Sequence, residues 1–493
     1  MRRFFVKNII FVIAVNILVK PIWMFFIDRT VQNTVPTGEY GTYAALLSLS
    51  IIFQTLLDFG ISSYNTRTIA QNPDRLTDLF PAMLSARMVL MLIYLTLACT
   101  WGYILGYRRW ELTLLAGVLL IQALNALVSF IRSNVAALHK FKTDGILSVT
   151  DRLLMIIICG FLLLYPPTAH IFKIQWFVIT QIICYFITAV IGYIILKRIG
   201  NVKLKFSFHP PTIFKIIRQS FPYALLIFQM SVYNRADVII IERILGDGKV
   251  QSGLWVAGFR LLDQANMFGL MFATILLPLF GRMLSGKQDV SHIVKLCVNM
   301  LLPVSFMVAV AGIFFSGDIM QLLYHKNVLY NAMSTEYKVI FAILIASFPA
   351  WCLMYVYSTL LTANGSLKIL NIIAFAGIII NLSLNFYLIP RYKAEGGAVA
   401  SLLTQTSLAL AFTILAARII KLPFNMNWIG AHIGYLALIS ALGYAVTAVM
   451  RGSIWYVQLF AFGLICMVLM FVFRFISTAA IKQLVNRQSN TAS

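Results

Sequence analysis

The sequence predicts an all-α polytopic membrane protein, and three observations carry that expectation. Its 493 residues are 60% hydrophobic and only 11% charged, with a mean hydropathy of +0.87; soluble domains carry about 25% charged residues to keep a surface wet. Apolar runs able to cross the hydrocarbon core, which takes about 20 residues each, fill most of the chain. Lys and Arg also concentrate in alternate connections, as they do in short cytoplasmic loops.

The runs give about fourteen spans, taken in chain order. The first, 8–28, follows a basic head ("MRRFFVKNIIFVIAV") like that of a signal peptide. Its apolar run continues through Lys20-Pro21 to Ile27 with no small-x-small cleavage site, so it reads as a retained helix. Span two, 40–60, opens on Gly41-x-Tyr43-x-Ala45 and closes on "LLDFGI". Spans three and four, 86–106 and 112–137, carry Arg87 and Arg132 towards their cytoplasmic ends. Span five, 146–165, holds Asp151-Arg152, and span six, 174–196, runs apolar up to Lys197-Arg198. The stretch 197–220 has six Lys/Arg and a Pro-Pro pair and reads as a basic cytoplasmic linker. Span seven, 221–242, contains Arg235 and Asp237, and span eight, 253–281, contains Arg260 and Asp263. Spans nine to twelve fall at 293–316, 339–362, 368–389 and 396–417. Spans thirteen and fourteen, 429–449 and 454–476, complete the set.

The two halves look alike. An acid-arginine pair ends span one (Asp28-Arg29) and span seven (Glu242-Arg243), a polar loop of about ten residues follows, and Gly-x-aromatic-x-Ala opens the next helix (Gly41/Tyr43/Ala45 and Gly253/Trp255/Ala257). "NVAALHKFKTDGIL" after span four matches "STLLTANGSLKIL" after span ten. Ordered internal repeats are the mark of transporters built from duplicated bundles. The expected organisation is therefore an N-terminal lobe at 1–196, the linker, a C-terminal lobe at 221–418, and an appended helix pair with a tail at 419–493. Two pseudo-symmetric six-helix lobes would surround a central cavity. With the N-terminus inside, cytoplasmic segments hold 22 Lys/Arg and outer segments 11, which places both termini in the cytoplasm.

The net charge of +23 comes with no lysine-rich tail and no aromatic-basic module, so it does not indicate nucleic acid. The six cysteines are widely spaced in apolar runs and read as small buried hydrophobes, neither disulfides nor metal ligands. No paired His ligands, phosphate-binding Gly-Lys-Ser/Thr loop or nucleophile elbow appears. An enzyme is not expected, nor is a cofactor or a metal.

Six basic residues lie within spans: Lys20, Arg87, Arg132, Arg152, Arg235 and Arg260. A charge at mid-bilayer costs about 2.5–3.5 kcal/mol and normally faces a cavity or a partner. Aligning the acid-arginine pairs, which are offset by 214, sets Lys20 level with Asn234, one place before Arg235. Pro21 removes a backbone hydrogen bond and should bend the helix there. Arg235 and Asp237 are two apart and point to different faces, whereas Arg260 and Asp263 are three apart and can pair. The plainer readings are snorkelling for Lys20 and interface anchoring for Arg87, Arg132 and Arg152. Asp58, Asp237 and Asp263 are candidates for ion or proton coupling, because a carboxylate in a low-dielectric cavity takes up a proton more readily.

The segments "NILVKPIWMFFIDRTVQN", "GEYGTYAALLSLSIIFQTLLDFGISSYNTRTIAQNP" and "YNRADVIIIERILGDGKVQSGLWVAGFRLLD" resemble the polysaccharide flippases of the Wzx type. These are the oligosaccharide branch of the multidrug/oligosaccharidyl-lipid/polysaccharide exporter superfamily. The resemblance implies an inner-membrane protein that moves an undecaprenyl-diphosphate-linked oligosaccharide from the cytoplasmic to the outer leaflet by alternating access. It also implies a cationic cavity, which by position would draw on Lys20, Arg235, Arg29, Arg132 and Arg260. A polysaccharide polymerase or chain-length regulator is the candidate protein partner. The lipid II flippase of the same superfamily is the runner-up, kept open by spans thirteen and fourteen. A cation-coupled multidrug exporter fits less well with buried cations, and a membrane polymerase would need a larger outer loop than the chain offers.

Overall fold

Long apolar runs leave the backbone one way to satisfy its polar groups in lipid, which is to bond within the helix. The computed structural model, which describes residues 19, 22–59, 76–138, 140–165, 167, 171–202, 210–423, 426–450 and 452–475, is accordingly helical, with no strand among those residues. A π-helical turn, Trp23–Asp28, leads into α1 (Arg29–Thr34). There follow α2 (Thr37–Phe53), α3 (Leu76–Ile104), α4 (Trp110–Ala137), α5 (Phe141–Leu164), α6 (Ile174–Gly200), α7 (Pro210–Ile244) and α8 (Gly248–Ser285). After α9 (Ser291–Phe314) and the short α10 (Ser316–Tyr324) come α11 (Ser334–Ala346), α12 (Phe348–Ala363), α13 (Leu367–Ile420), α14 (Met426–Val449) and α15 (Trp455–Val472).

Eleven of the described helical stretches are long and apolar enough to cross a membrane. One of them, α13, has 54 residues and would be about 80 Å long if straight. It breaks at Lys393 (φ 50°, ψ −135°), three residues after Pro390, and so contains both the eleventh and twelfth expected spans. Expected span ten is α11 and α12 end to end, joined at Ser347. Expected span eight is helical as α8, with Arg260, Asp263, Gln264 and Asn266 in its first half. Most of expected span one, with Lys20 and Pro21, lies outside the described residues.

The repeat shows in the connections. Three residues separate α4 from α5, and three separate α12 from α13. One sequence expectation needs correcting here. The polar stretch after Asp28-Arg29 is not a loop, because α1 carries it to Thr34. Two of its polar side chains bond within the helix and beyond it: Thr34 Oγ1 donates to the Thr30 carbonyl (2.8 Å), and Gln32 Nε2 donates to the Gly253 carbonyl (3.4 Å).

The chain forms two compact units that divide inside α8, Met1–Gly253 with Lys326–Val328 and Leu254–His325 with Leu329–Ser493. Residues 221–253 thus group with the first unit. In that unit α4 packs on α6, α5 on α6, and α2 on α4 and α7. In the second, α9 packs on α11, α12, α14 and α15, while α12 packs on α13. The appended pair, α14 and α15, has its own apolar core with α9, built on Val310, Tyr435, Ile439, Phe462, Cys466 and Met470. Five of the six cysteines are buried and all six are unbridged.

Candidate functional site

The expected site residues fall into three groups. Lys20 lies outside the described residues. Arg29 opens α1, and its Nε is buried with no hydrogen-bond partner among the described residues. Arg235 sits partly buried on α7, two residues before the fully buried Asp237. Arg260 and Asp263 are partly buried on α8.

Two of the expected residues are held in ion pairs. Arg132 of α4 donates from Nε to Asp144 Oδ1 of α5 (2.8 Å) and from Nη2 to Oδ2 (3.5 Å). Asp58 accepts from Arg87 of α3, whose Nη1 also donates to the Ala126 carbonyl (3.1 Å) and whose guanidinium lies 4.6 Å from the Phe130 ring centre. That pairing neutralises the Asp58 carboxylate and ties the end of α2 to α3 and α4.

The structure also assembles a polar cluster within the first unit that charge counting alone does not outline. Its centre is Arg152 of α5, with its guanidinium 5.3 Å from the Trp23 ring and 5.8 Å from the Tyr185 ring. Asp151 Oδ2 lies 3.4 Å from Arg152 Nε, and Asp28 acts on the same guanidinium from the π-helical turn. Tyr40 donates to Asp28 Oδ1 (3.3 Å), and Gln181 of α6 donates to the Tyr43 hydroxyl (3.2 Å). Phe177 stacks on Trp23 at 5.8 Å and meets Tyr43 edge-on at 5.7 Å. Here π-stacking and an ion pair together repay the desolvation of a charge that lipid alone would not accommodate. The signal for Asp151 and Arg152 was their place inside span five; Tyr43 and Gln181 are neutral and gave none.

A second cluster sits where α7 turns into α8. Glu242 is completely buried and accepts from Tyr107 (3.0 Å), from Arg243 Nε (2.5 Å) and from Arg243 Nη2 (2.9 Å). Arg243 also donates to the Leu105 carbonyl (3.3 Å) and lies 3.7 Å from the Tyr107 ring centre. Lys249 donates to Glu111 Oε1 at 2.6 Å. Burial and the Glu242 carboxylate hold the Tyr107 phenol well above its ordinary pKa. Beside this clasp the two repeat glycines meet. A Cβ on Gly41 would stand 2.0 Å from the Lys249 carbonyl oxygen and 2.8 Å from Gly253 N, and one on Gly253 would stand 2.7 Å from the Thr37 carbonyl oxygen. Helices this close need small residues at the crossing, as small-residue motifs in membranes do.

Among the described residues no three His, Cys, Asp or Glu side chains come together as a metal ion would need.

With that geometry in place, the likenesses to known proteins can be read. The family described as "Polysaccharide biosynthesis protein" matches the chain over residues 5–284. No curated protein matches it in sequence. Among solved structures, the lipid II flippase MurJ in an inward-closed conformation superposes with a TM-score of 0.69 at 14% identity, covering 96% of this chain and 100% of that one. An inward-facing multidrug resistance MATE family transporter of the MOP superfamily gives 0.63 at 14% identity, covering 82% of this chain and 98% of that one. A MOP superfamily transporter from Pyrococcus furiosus gives 0.52 at 13% identity, covering 84% and 94%. At these identities the likeness is one of fold, and the fold is that of MOP-superfamily transporters.

Proposed function

The chain belongs to the polysaccharide biosynthesis protein family, and on that premise we propose that it is a flippase for lipid-linked sugars. It moves an undecaprenyl-diphosphate-linked oligosaccharide from the cytoplasmic to the outer leaflet of the inner membrane by alternating access, with both termini in the cytoplasm. It is a transporter and not an enzyme.

The observation that carries this reading is the placement of cations in helices that are otherwise apolar. Lys20, Arg29, Arg235 and Arg260 fall in or at the ends of spans one, seven and eight. A lipid-linked diphosphate is a multivalent anion, and it enters a low-dielectric path only where cationic donors replace its hydration. Guanidinium groups suit this task because their planar fork bonds phosphate oxygens in pairs. The prenyl tail stays in the lipid while the headgroup crosses. An inside-negative potential favours outward passage of each net negative charge by about 2.3 kcal/mol per 100 mV.

The test is complementation of a strain that has lost its flippase and its surface polysaccharide. Lys20→Ala and Arg235→Ala are each expected to abolish surface polysaccharide while the protein stays at normal levels in the membrane. Full complementation by both variants would sink the cationic path. A second reading, transport of lipid II, is favoured by one observation: the MurJ likeness extends over 96% of the chain. Rescue of growth in cells depleted of their lipid II flippase, without restored polysaccharide in the first strain, would select it.

A further inference from the structure

A pocket of about 230 Å³ lies at the ends of four helices of the second unit. It is bounded by Ser291, His292 and Lys295 of α9, Tyr357 of α12, Ala417 of α13 and Trp428 of α14. These helix ends share one side of the bundle, and the pocket sits at the joint between the repeated helices and the appended pair.

Its lining specifies an amphiphilic anion. At the mouth, His292 and Lys295 are exposed cationic or cation-forming groups, and Arg418 and Lys421 stand nearby at the end of α13. Asp289, the neighbouring acid, is held below the usual carboxylate range by hydrogen bonds from the Ser291 side chain and from the Ser291 backbone N–H (2.9 Å). It thereby caps the first N–H of the 24-residue α9, and the remaining first-turn N–H groups add partial positive charge. Deeper in, the walls are apolar. Tyr357 and Ala417 are buried, and Trp428 is fixed by its Nε1 donating to Asn299 Oδ1 at 2.6 Å, so its indole serves as a wall and not as a donor. The volume falls below the roughly 300–1,000 Å³ of pockets for drug-sized ligands, so it takes a headgroup and not a whole lipid.

We propose that this pocket binds the phosphodiester headgroup of an acidic phospholipid and so clamps α14 to α9. The inference concerns a different set of helices from the cation path and stands independently of the transported substrate.

The experiment uses the full chain, purified in mild detergent and stripped of lipid. Phosphatidylglycerol, phosphatidylethanolamine and inorganic phosphate are added in separate arms, and bound lipid is read by native mass spectrometry alongside thermal unfolding. Phosphatidylglycerol is expected to remain bound and to raise the melting temperature. The double substitution His292→Gln with Lys295→Gln should lower its apparent affinity about tenfold, on the scale of a charge-assisted hydrogen bond. Lys368→Gln, an exposed cation at the start of α13 that does not line the pocket, should change nothing. Ala417→Leu, which fills the pocket, should also reduce retention; if it fails to fold, the double variant decides alone. Equal phosphatidylglycerol affinity in wild type and double variant overturns the proposal. So does equal stabilisation by phosphatidylethanolamine, and so does full stabilisation by inorganic phosphate, which would assign the pocket to a soluble anion.

Discussion

Glu242 shows how much one side chain decides. It has no exposed surface, and three donors from Tyr107 and Arg243 meet its two oxygens. Arg243 keeps 22% of its side chain exposed, so losing the carboxylate costs less than the roughly 3–5 kcal/mol of a fully buried pair. Glu242→Gln weakens all three bonds and is therefore expected to lower the melting temperature of the purified protein beyond Tyr107→Phe, which loses one hydrogen bond to a charged group, worth about 1.5–3 kcal/mol. Equal, small shifts for the two would show that the clasp is not a charged one. The pH dependence follows from the raised Tyr107 pKa. A phenol whose folded-state pKa lies above the unfolded value, about 10, contributes stability that is intact below pH 10 and lost as pH climbs towards the folded value. Tyr107→Phe should remove that alkaline loss. Charged residues such as Arg152 and Glu242 stood out in the sequence, the first as an interface anchor and the second as a marker of the repeat, because hydropathy makes a charge in an apolar run conspicuous. Their partners did not: Tyr43, Tyr107 and Gln181 look like ordinary neutral residues until the fold brings them within 3.0–3.2 Å of a polar group.

At the scale of elements, the repeat was legible in its spacing and misread in its local structure. Gly41 and Gly253 were paired as equivalent positions, and the fold places them against each other where α2 crosses the start of α8. The helical course of 30–34 was not legible, since Thr, Gln and Asn usually favour turns; here Thr30 and Thr34 donate to carbonyls one turn back and Gln32 donates to the Gly253 carbonyl. The crossing makes a sharp prediction. In Gly41→Ala the new Cβ meets backbone atoms of residues 249 and 253, which do not yield as a side-chain tip would. The helices must part, at the cost typical of overpacking, about 1–3 kcal/mol. Gly38→Ala, one turn earlier, meets Lys249 Cβ at 3.5 Å and Val250 Cγ2 at 3.9 Å, both ordinary contacts, and should be neutral or stabilising through better helix propensity. Thermal unfolding of the two variants side by side checks this, and a Gly41→Ala protein as stable as Gly38→Ala would refute the close crossing.

At the scale of the whole molecule, the membrane class and nearly every described span were legible because lipid imposes one length and one polarity on each helix. Ten of the expected spans coincide with helices that pass both tests, and two more share the broken α13. Span eight is helical throughout as α8 and carries Arg260, Asp263, Gln264 and Asn266 in its first half. The net negative charge of a lipid-linked headgroup makes the proposed transport electrical. With the chain in sealed proteoliposomes and an anionic lipid-linked oligosaccharide in the inner leaflet, an inside-negative potassium diffusion potential drives the headgroup outward. The initial rate of appearance outside should rise with that potential and fall when its sign is reversed. The limit is the factor of about fifty that 2.3 kcal/mol represents for each net charge per 100 mV. The observed factor will be smaller to the extent that protein cations move with the anion. Neutralising Arg235 by Arg235→Gln should then reduce transport at every potential, since the headgroup loses a partner and must shed its hydration unaided. A rate indifferent to potential, in liposomes where transport itself is intact, would mean that the headgroup crosses fully neutralised.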